Sequence, residues 1–260
     1  MKLSTHAILI TGGTSGIGLE LALQLQSLGN TVIITGRDQA KLDRINGEHP
    51  GLHAIQSDVS DPKAIASLYE RMIQQLPTLN ILINNAGVMR KINLQDRGRD
   101  LEDLTSEIET NLIGTIRMVK QFLPHLRAQP QAAIVNVSSG LAFTPFPISP
   151  VYCAAKAGIH SFTQSLRVQL KNTKIKVFEL APPATNTPLQ DAFDASDMKG
   201  IPLMDVKKLV QHAIQGIQAD RPEILPGASK LLKLLSRVAP GFAVKAASGP
   251  VDAMLAQTRN

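Results

Sequence analysis

The sequence predicts an α/β fold in which helices cover both faces of one doubly wound parallel sheet. Short apolar runs rich in Val and Ile alternate along the chain with longer stretches of amphipathic, helical periodicity, and such strict alternation is typical of parallel sheets. A glycine-rich segment, ITGGTSGIG, directly follows the first apolar run, which is where these folds carry a phosphate-binding turn. The length of 260 residues suits a single core of this class.

Seven segments have the length and the β-branched composition of strands. In chain order they are Ala7–Thr11, Thr31–Thr35, Leu52–Gln56, Asn80–Ile83, Ala132–Val137, Lys174–Leu180 and Glu223–Leu225. Helical patterns fill the gaps between them. Gly29 is expected to end the first helix and Ser60-Asp61-Pro62 to begin the third, because glycine is common just after a helix and proline in its first turn.

Two stretches near the end of the chain depart from this alternation. Residues 181–204 contain prolines at 182, 183, 188 and 202 and are predicted to form a loop over the site. Residues 228–238 have helical periodicity, with a basic face (Lys230, Lys233, Arg237) and an apolar face (Leu231, Leu234, Leu235, Val238). We expect the apolar face to pack on its own domain or on a second subunit, with an anionic membrane surface as the alternative. The predicted division is a catalytic domain, 1–226, and a basic C-terminal extension, 227–260.

Composition argues against several classes of function. The net charge is +6, and four of these charges fall within residues 227–260. Elsewhere bases alternate with acids and aromatic residues make up only 3% of the chain, so the stacking platforms and basic stripe of a nucleic-acid-binding protein are not expected. The six histidines show no ligand spacing, so no metal is predicted.

The expected compartment is the reducing cytoplasm. Cys153 is the single cysteine, which excludes an intrachain disulfide. The first residues, MKLSTHAILITGG, lack the features of a signal peptide, and no apolar run is long enough to span a bilayer.

Tyr152 and Lys156 form the strongest chemical signal in the chain. Their spacing of four in PVYCAAKAG puts both side chains on one face of a helix. We expect the ammonium to lower the pKa of the phenol toward the working pH, which would suit the tyrosine to acid/base chemistry. Ser139 lies thirteen residues upstream of Tyr152. Taken alone, a tyrosine at the start of a helix could equally be a packing residue.

The glycine turn and the end of the second strand indicate a dinucleotide. Gly12, Gly16 and Gly18 would let the backbone approach a pyrophosphate, although a glycine-rich turn can also be a tight connection. Arg37 follows the second strand where NAD-binding proteins carry an acid. Because a guanidinium matches a phosphate in two parallel bonds, NADP is favoured over NAD. Asp38 argues against this preference, and Arg37 could also be an ordinary surface charge.

These motifs together resemble the short-chain dehydrogenase/reductase family over roughly the first 190 residues. TGGTSGIG at 11–18 resembles the TGxxxGxG turn of the family, Asp58-Val59 its acid–apolar pair beside adenine, and residues 84–87 its NNAG motif. Asn111 aligns with the active-site asparagine. Ser139 aligns with the active-site serine, because the family's serine-to-tyrosine spacing of thirteen favours it over Ser138. The resemblance implies a Rossmann-type fold and a homodimer or homotetramer.

The resemblance also implies roles for the site residues. Tyr152 would exchange a proton with the substrate oxygen, Ser139 would bond that oxygen, Lys156 would hold the nicotinamide ribose, and Asn111 would support a water that links Lys156 to solvent. The cofactor contacts that follow from the resemblance are Thr11, Gly12, Thr14, Ser15, Gly16, Ile17, Gly18, Arg37, Asp58, Val59, Asn85, Ala86, Gly87, Tyr152, Lys156, Pro182, Thr185 and Thr187.

One departure from the family pattern lies after the sixth strand. The family usually has PGxxxT there, whereas this chain has Pro182-Pro183 and keeps Thr187 at the last position. Pro183 should stiffen the base of the loop, and the double proline resembles the DltE-like subgroup of the family. The apolar residues expected around Tyr152 are Val88, Met89, Phe143, Phe146, Ile148, Leu189, Phe193, Met198 and Met204.

Two functions follow from these observations. The first is an NADP-dependent oxidoreductase that acts on an apolar or mixed carbonyl or secondary alcohol, because no arginine clamp for an anionic substrate is evident. The second is a non-catalytic, dinucleotide-sensing regulatory protein. The complete set of Ser139, Tyr152, Lys156 and Asn111 favours the enzyme, since a sensor does not need a proton-transfer set.

Overall fold

The computed structural model describes residues 1–257 and contains one seven-stranded parallel sheet. Its strands are β1 (Ala7–Thr11), β2 (Thr31–Gly36), β3 (Leu52–Gln56), β4 (Leu79–Asn84), β5 (Ala132–Val137), β6 (Ile175–Leu180) and β7 (Glu223–Ile224). Their order across the sheet is β3-β2-β1-β4-β5-β6-β7. All seven predicted strands are present, and the predicted α/β class with a parallel sheet is confirmed.

Ten α-helices connect the strands or follow them among the described residues. They are α1 (Gly16–Ser27), α2 (Gln39–Glu48), α3 (Pro62–Gln75), α4 (Leu101–Ile108), α5 (Gly114–Ala128), α6 (Pro150–Gln169), α7 (Val206–Gln218), α8 (Ser229–Val238), α9 (Pro240–Ala246) and α10 (Gly249–Gln257). A π-helical segment, Glu109–Ile113, joins α4 to α5, and short 3₁₀ turns lie at Gly140–Ala142 and Pro188–Ala192.

Local sequence signals set two of the helix boundaries. Asp61 caps α3 by accepting a hydrogen bond from the Lys63 N–H at 2.8 Å, with Pro62 in the first turn. After α1, Gly29 has a φ of +82° and donates its N–H to the Gln26 carbonyl at 2.9 Å. Both the start of the third helix and the end of the first are therefore where the caps predicted them.

The sheet is buried on both faces, because alternate side chains along each strand enter different hydrophobic clusters. Ile8 and Ile10 of β1 pack with residues of α1 and α7. Leu9, between them, packs with residues of α3, α5 and α6 on the opposite face. Chain order reverses beside β1, which lies between β2 and β4. A crevice is expected at the carboxyl ends of the strands at such a point.

The substrate loop, residues 181–204, is irregular apart from its 3₁₀ turn, as predicted. Its two ends are bridged to each other, and its middle is fastened to the segment after β4. Thr185 and Met204 at its two ends form an isolated parallel bridge. Asp197, 1% exposed, accepts two hydrogen bonds of 2.9 Å from the Lys91 ammonium in the segment after β4.

The helix expected over residues 228–238 is present as α8, but the predicted division of its faces is wrong. Leu235 turns inward and lines the cavity described below, together with Leu232. Leu231, Leu234 and Val238 are 56%, 57% and 68% exposed. The periodicity of a helix identifies which residues share a face, but tertiary packing decides which face is covered.

The C-terminal segment also carries an ion pair that the basic-face prediction did not include. Lys233 is turned toward Glu223 of β7 and bonds both carboxylate oxygens.

The predicted domain boundary at residue 226 stays a prediction, although α8, α9 and α10 all contribute residues to the cavity. Residues 258–260, including the basic Arg259, lie outside the described part of the chain. Within residues 1–257, no helix combines the length and apolarity needed to cross a bilayer.

Candidate active site

The turn between β1 and α1 is shaped to accept a phosphate. Gly12 and Gly16 have φ angles of +64° and +53°, a region that glycine adopts without strain. A Cβ on Gly12 would lie 2.7 Å from the Ala86 Cα. Ser15 precedes α1 without a side-chain capping bond, and no acid lies in the first turn of the helix. The N–H groups at this helix end are therefore available to an anion.

Two predicted cofactor contacts lie behind this turn. The Thr11 hydroxyl oxygen accepts hydrogen bonds from the N–H groups of Asn85 and Ala86, both at 3.1 Å. At Gly18, a Cβ would lie 2.3 Å from the Gly12 carbonyl oxygen and 2.4 Å from the Asn85 Nδ2. Thr11 and Gly18 thus hold the turn against the end of β4, and a direct cofactor contact by either stays a prediction.

Two basic side chains that follow β2 lie at one end of the cavity. Arg37 and Lys41 both line it, with side chains 60% and 57% exposed. Asp38, which argued against NADP at the sequence level, accepts the Lys41 N–H at 3.1 Å as the N-cap of α2. Asp58 accepts two bonds from Ser60, one from the N–H and one from the hydroxyl. Both carboxylates are thus engaged in local hydrogen bonds, while the Arg37 guanidinium has only a 4.0 Å ion pair with Asp58.

Tyr152 and Lys156 lie on one face of α6, as the spacing of four predicted. Both are buried, at 5% and 3% exposure. The Lys156 Nζ lies 5.5 Å from the centroid of the Tyr152 ring and donates a hydrogen bond to the Val137 carbonyl at 2.9 Å. The helix therefore brings the two side chains together, and the end of β5 anchors the ammonium.

The predicted effect of Lys156 on the pKa of Tyr152 is wrong for this structure. Burial raises the pKa of Tyr152 above its ordinary value, and a hydrogen bond from Ser139 opposes only part of the rise. Burial also lowers the pKa of Lys156, to about 8. The sequence identified the neighbours, but burial of both groups dominates their pKa values. The phenol is accordingly neutral at neutral pH.

Ser139 and Ser138 turn in different directions at the end of β5. Ser139 lies beside Tyr152 and contributes a hydrogen bond to it. The Ser138 hydroxyl donates to the Oε1 of Glu179 on β6 at 2.5 Å, although Ser138 also lines the cavity. This geometry agrees with the choice of Ser139 from its spacing.

Asn111 lies in the π-helical segment and is fully buried. Its Oδ1 accepts the Val88 N–H and its Nδ2 donates to the Val88 carbonyl, both at 2.8 Å. A Cβ on Gly87 would lie 3.2 Å from the Asn111 Oδ1 and 3.5 Å from the Lys156 Nζ. Asn111 therefore fixes the NNAG segment beside Lys156. The water-mediated role that the resemblance implies stays a prediction.

A cavity of about 970 Å³ joins these elements. It runs from the end of β2, past the glycine turn, to Tyr152 and the substrate loop. The predicted site residues that line it are Gly12, Thr14, Ser15, Gly16, Ile17, Arg37, Asp58, Val59, Asn85, Ala86, Gly87, Ser139, Tyr152, Lys156, Pro182, Thr185 and Thr187. Their shared cavity fits a ligand with a phosphate at its middle and a reactive ring near Tyr152.

Part of the predicted apolar pocket also lines the cavity. The lining residues from that set are Val88, Met89, Phe146, Leu189, Phe193 and Met198. Phe143 instead packs edge-on against His160, with ring centroids 4.9 Å apart. Ile148 is fully buried beneath Tyr152, and Met204 forms the bridge to Thr185. These three side chains support the pocket without forming its wall.

Sequence reasoning missed the wall that comes from the end of the chain. Leu232, Leu235, Phe242, Ala243 and Ala246 of α8 and α9 line the cavity. No sequence motif identifies these residues. The way α8 packs on the domain decides which of its side chains line the cavity. The Thr144 hydroxyl donates to the Leu232 carbonyl at 3.2 Å.

Cys153, next to Tyr152 in the sequence, is buried and does not have the surroundings of a catalytic nucleophile. Burial raises the pKa of its thiol to about 11. Its sulfur accepts the Phe146 N–H at 3.2 Å. A thiol that is buried and protonated is a poor nucleophile.

Three potential metal ligands meet beside α6, which the histidine spacing did not reveal. His160, Glu179 and Glu223 bring ligand atoms within 4.8 Å of one another. The His160 Nδ1 lies 2.8 Å from a Glu179 oxygen. Lys233 already bonds both oxygens of Glu223, so its ammonium occupies this side of the cluster. The prediction that the protein binds no metal stays a prediction.

Comparison with known proteins agrees with this geometry. Residues 6–197 match the family described as short chain dehydrogenase. The chain is 42% identical over 226 residues to "Uncharacterized oxidoreductase DltE" of Bacillus subtilis (strain 168), covering 86% of this chain and 89% of that protein.

Two solved structures share the fold. A short chain dehydrogenase from Burkholderia cenocepacia J2315 in complex with NADP has a TM-score of 0.80 at 23% identity and covers 94% of this chain and 98% of its own. A short chain dehydrogenase/reductase from Burkholderia phymatum in complex with NAD has a TM-score of 0.80 at 21% identity, with coverages of 92% and 94%. From the family match and the DltE relative, the chain belongs to the short-chain dehydrogenase/reductase family of NAD(P)-dependent oxidoreductases and is DltE-like.

Proposed function

We propose that this protein is an NADP-dependent reductase of an apolar or mixed carbonyl compound, with Tyr152 as the proton donor. The observation that carries the proposal is the meeting of Ser139, Tyr152 and Lys156 at one end of a cavity whose middle is the glycine turn. A bound nicotinamide dinucleotide supplies the hydride in such a reaction. The residues that would hold it are those of the glycine turn, Arg37, the NNAG segment, Lys156 and Thr187.

The protein supplies the proton and the polar contacts. The neutral Tyr152 phenol donates its proton to the substrate oxygen, and the Ser139 hydroxyl donates a hydrogen bond to the same oxygen. Because burial raises the pKa of Tyr152, the phenol is neutral in the resting site and carries the proton that reduction of a carbonyl requires. Lys156, whose pKa is lowered to about 8, is protonated in most molecules at pH 7. Its charge stabilises the phenolate that remains after proton transfer.

The substrate end of the cavity supports an apolar substrate. Leu189 and Phe193 of the substrate loop line the same cavity as Leu232 and Leu235 of α8. Asp197 also lines it, but this carboxylate is paired with Lys91. Lys199 also lines this end, but its side chain is exposed to solvent, so the buried part of the substrate wall remains apolar and favours an apolar or mixed substrate.

A matched serine pair tests the site. In a panel of ketones and aldehydes assayed by NADPH oxidation, we expect Ser139→Ala to lower kcat by about 10- to 100-fold, because one hydrogen bond to the reacting oxygen is lost. Ser138→Ala should keep kcat within about 3-fold of the wild type but lower stability by about 1–3 kcal/mol, because a buried oxygen of Glu179 loses one of its two hydrogen-bond partners, His160 being the other. Equal losses of kcat in the two variants would contradict the assignment.

The alternative, a non-catalytic dinucleotide sensor, makes a different prediction for the same panel. A sensor would bind NADPH without oxidising it in the presence of any carbonyl compound. The intact Ser139, Tyr152 and Lys156 favour turnover, as does the relationship to proteins named as oxidoreductases. Binding without turnover across a broad panel would favour the sensor.

The preference for NADP is tested by thermal shift. Ligand that binds the folded state raises the melting temperature, and we expect NADPH to give a larger shift than NADH because Arg37 and Lys41 flank that end of the cavity. Arg37→Ala should narrow the difference. Arg44→Ala, which removes an exposed arginine of α2 outside the cavity lining, should leave it unchanged. Equal shifts for the two cofactors in the wild type would overturn the preference.

The cytoplasmic location and the assembly into a homodimer or homotetramer stay predictions.

A further inference from the structure

The last part of the chain exposes an unusual concentration of apolar side chains. Ten large hydrophobic residues are exposed among residues 1–257, and five of them lie between positions 231 and 244. On α8 they are Leu231, Leu234 and Val238, and on α9 they are Phe242 and Val244, which are 66% and 38% exposed. Scattered exposed apolar residues are ordinary, whereas a contiguous patch indicates an interaction surface.

Basic side chains flank these apolar residues. Lys230 and Arg237 lie on the same exposed side of α8, and Lys245 is exposed at the end of α9. No ion pair joins any of the three to a residue within 1–257, whereas Lys233 on the inner side is paired with Glu223. No acidic residue occurs from position 224 to position 251. We call this surface the α8–α9 face: Lys230, Leu231, Leu234, Arg237, Val238, Phe242 and Lys245.

The opposite side of α8 fixes the orientation of this face. Ser229 is fully buried, and Leu232 accepts a hydrogen bond from Thr144 through its carbonyl. Lys233 also lies over the Phe143 ring, 5.3 Å from its centroid. The helix is thus anchored by its inner residues, and the outer residues project as a preformed amphipathic surface.

We propose that the α8–α9 face docks on the surface of an anionic phospholipid bilayer. Apolar side chains between free cations, on a helix that lies flat on the protein, have the composition of an interfacial membrane helix. The cations would meet the anionic headgroups while the leucines and Phe242 enter the acyl boundary.

Charge argues for a bilayer over a second copy of this chain. In a two-fold dimer the same patch contacts itself. Lys230, Arg237 and Lys245 would then approach one another, and Glu223, the acid that borders the face, is already bonded by Lys233. Such an approach of like charges is unfavourable when the surface is desolvated.

The docking surface is continuous with the substrate cavity. Phe242 belongs to the face and also lines the cavity, and Leu235, on the inner side of α8, lines it as well. A protein docked in this way would present the cavity near the lipid phase. The docking itself does not depend on the proposed reaction.

Vesicle flotation of the full-length chain tests the proposal. We expect binding to vesicles of equal parts phosphatidylglycerol and phosphatidylcholine, weaker at high salt, and little binding to phosphatidylcholine alone. Leu231→Asn/Leu234→Asn should weaken partitioning by about 10-fold or more. Lys230→Gln/Arg237→Gln/Lys245→Gln should weaken it by about 5-fold for each cation, or about 100-fold in total.

Matched changes elsewhere on the surface provide the controls. Leu94→Asn/Leu101→Asn removes two other exposed leucines, and Lys120→Gln/Arg127→Gln/Lys171→Gln removes three other exposed cations. Both should bind as the wild type does, apart from a small loss from net charge in the second.

Three outcomes would overturn the proposal. The first is no flotation of the wild type with anionic vesicles. The second is equal binding to both vesicle types, or equal weakening by the control variants. The third is found by analytical ultracentrifugation: if Leu231→Asn/Leu234→Asn converts an oligomer to a smaller species and the wild type does not bind vesicles, the face is a contact between subunits.

Discussion

Tyr152→Phe is expected to lower kcat for carbonyl reduction by about 10²- to 10⁴-fold, the usual contribution of a positioned general acid. The substitution removes only the hydroxyl that would donate the proton. The ring, 5% exposed, packs with Met89, Phe146 and Ile148, and phenylalanine keeps those contacts. The loss should therefore appear in turnover, with the fold retained.

Dinucleotide binding separates a catalytic role from a structural one. The glycine turn and Arg37 do not contact the Tyr152 hydroxyl, so Tyr152→Phe should give nearly the same thermal shift with NADPH as the wild type. Tyr69→Phe is the matched control, because Tyr69 is the only other tyrosine. It packs edge-on against Phe122, with ring centroids 5.3 Å apart, on the helix face remote from the cavity. If Tyr152→Phe retained wild-type kcat, another group would have to supply the proton.

The strands and the site motifs could be predicted from the sequence because both depend on local signals. Buried strands of a parallel sheet are continuous apolar runs, and β1, β3 and β5 have the predicted bounds. The glycine turn and the pair of Tyr152 and Lys156 require residues that are close in the chain. Their geometry follows from the period of the helix and from the position after a strand.

Features that depend on tertiary burial could not be predicted in this way. The spacing of Tyr152 and Lys156 predicted their contact but not the dry environment that raises the pKa of one and lowers that of the other. Likewise, the leucines of α8 could be assigned to a helix but not to its inner or outer side. Leu232 lies inward because the Thr144 hydroxyl and the segment around Gly140 meet it there.

Lys156→Met should lower kcat by about 10²- to 10³-fold, the usual cost of removing one electrostatic contact to a developing charge. The same substitution should raise the stability of the protein at neutral pH. Lys156 is 3% exposed, and its ammonium donates one hydrogen bond, to the Val137 carbonyl. Methionine has a similar length and no charge to bury. A loss of rate with a gain in stability would not be expected of a residue that only supports the fold.

The pH dependence gives the sign of this stability effect. The pKa of Lys156 is about 8 in the folded chain and 10.5 as a reference value. Between these values the unfolded state binds more protons, so the contribution of Lys156 makes the wild type more stable as pH rises. Below pH 8 the buried charge costs the folded state on the order of 3 kcal/mol. Above pH 10.5 both states are neutral and the cost disappears.

Denaturant unfolding across this pH range measures the effect. Lys156→Met should exceed the wild type in stability by the largest amount at or below pH 8, and the difference should shrink as pH rises to about 10.5. Lys120→Met, at an exposed position on α5, should show no such trend. A difference that stayed constant with pH would mean that packing, and not the buried ammonium, separates the variant from the wild type. In that case Lys156 would hold its charge in the folded chain at little cost.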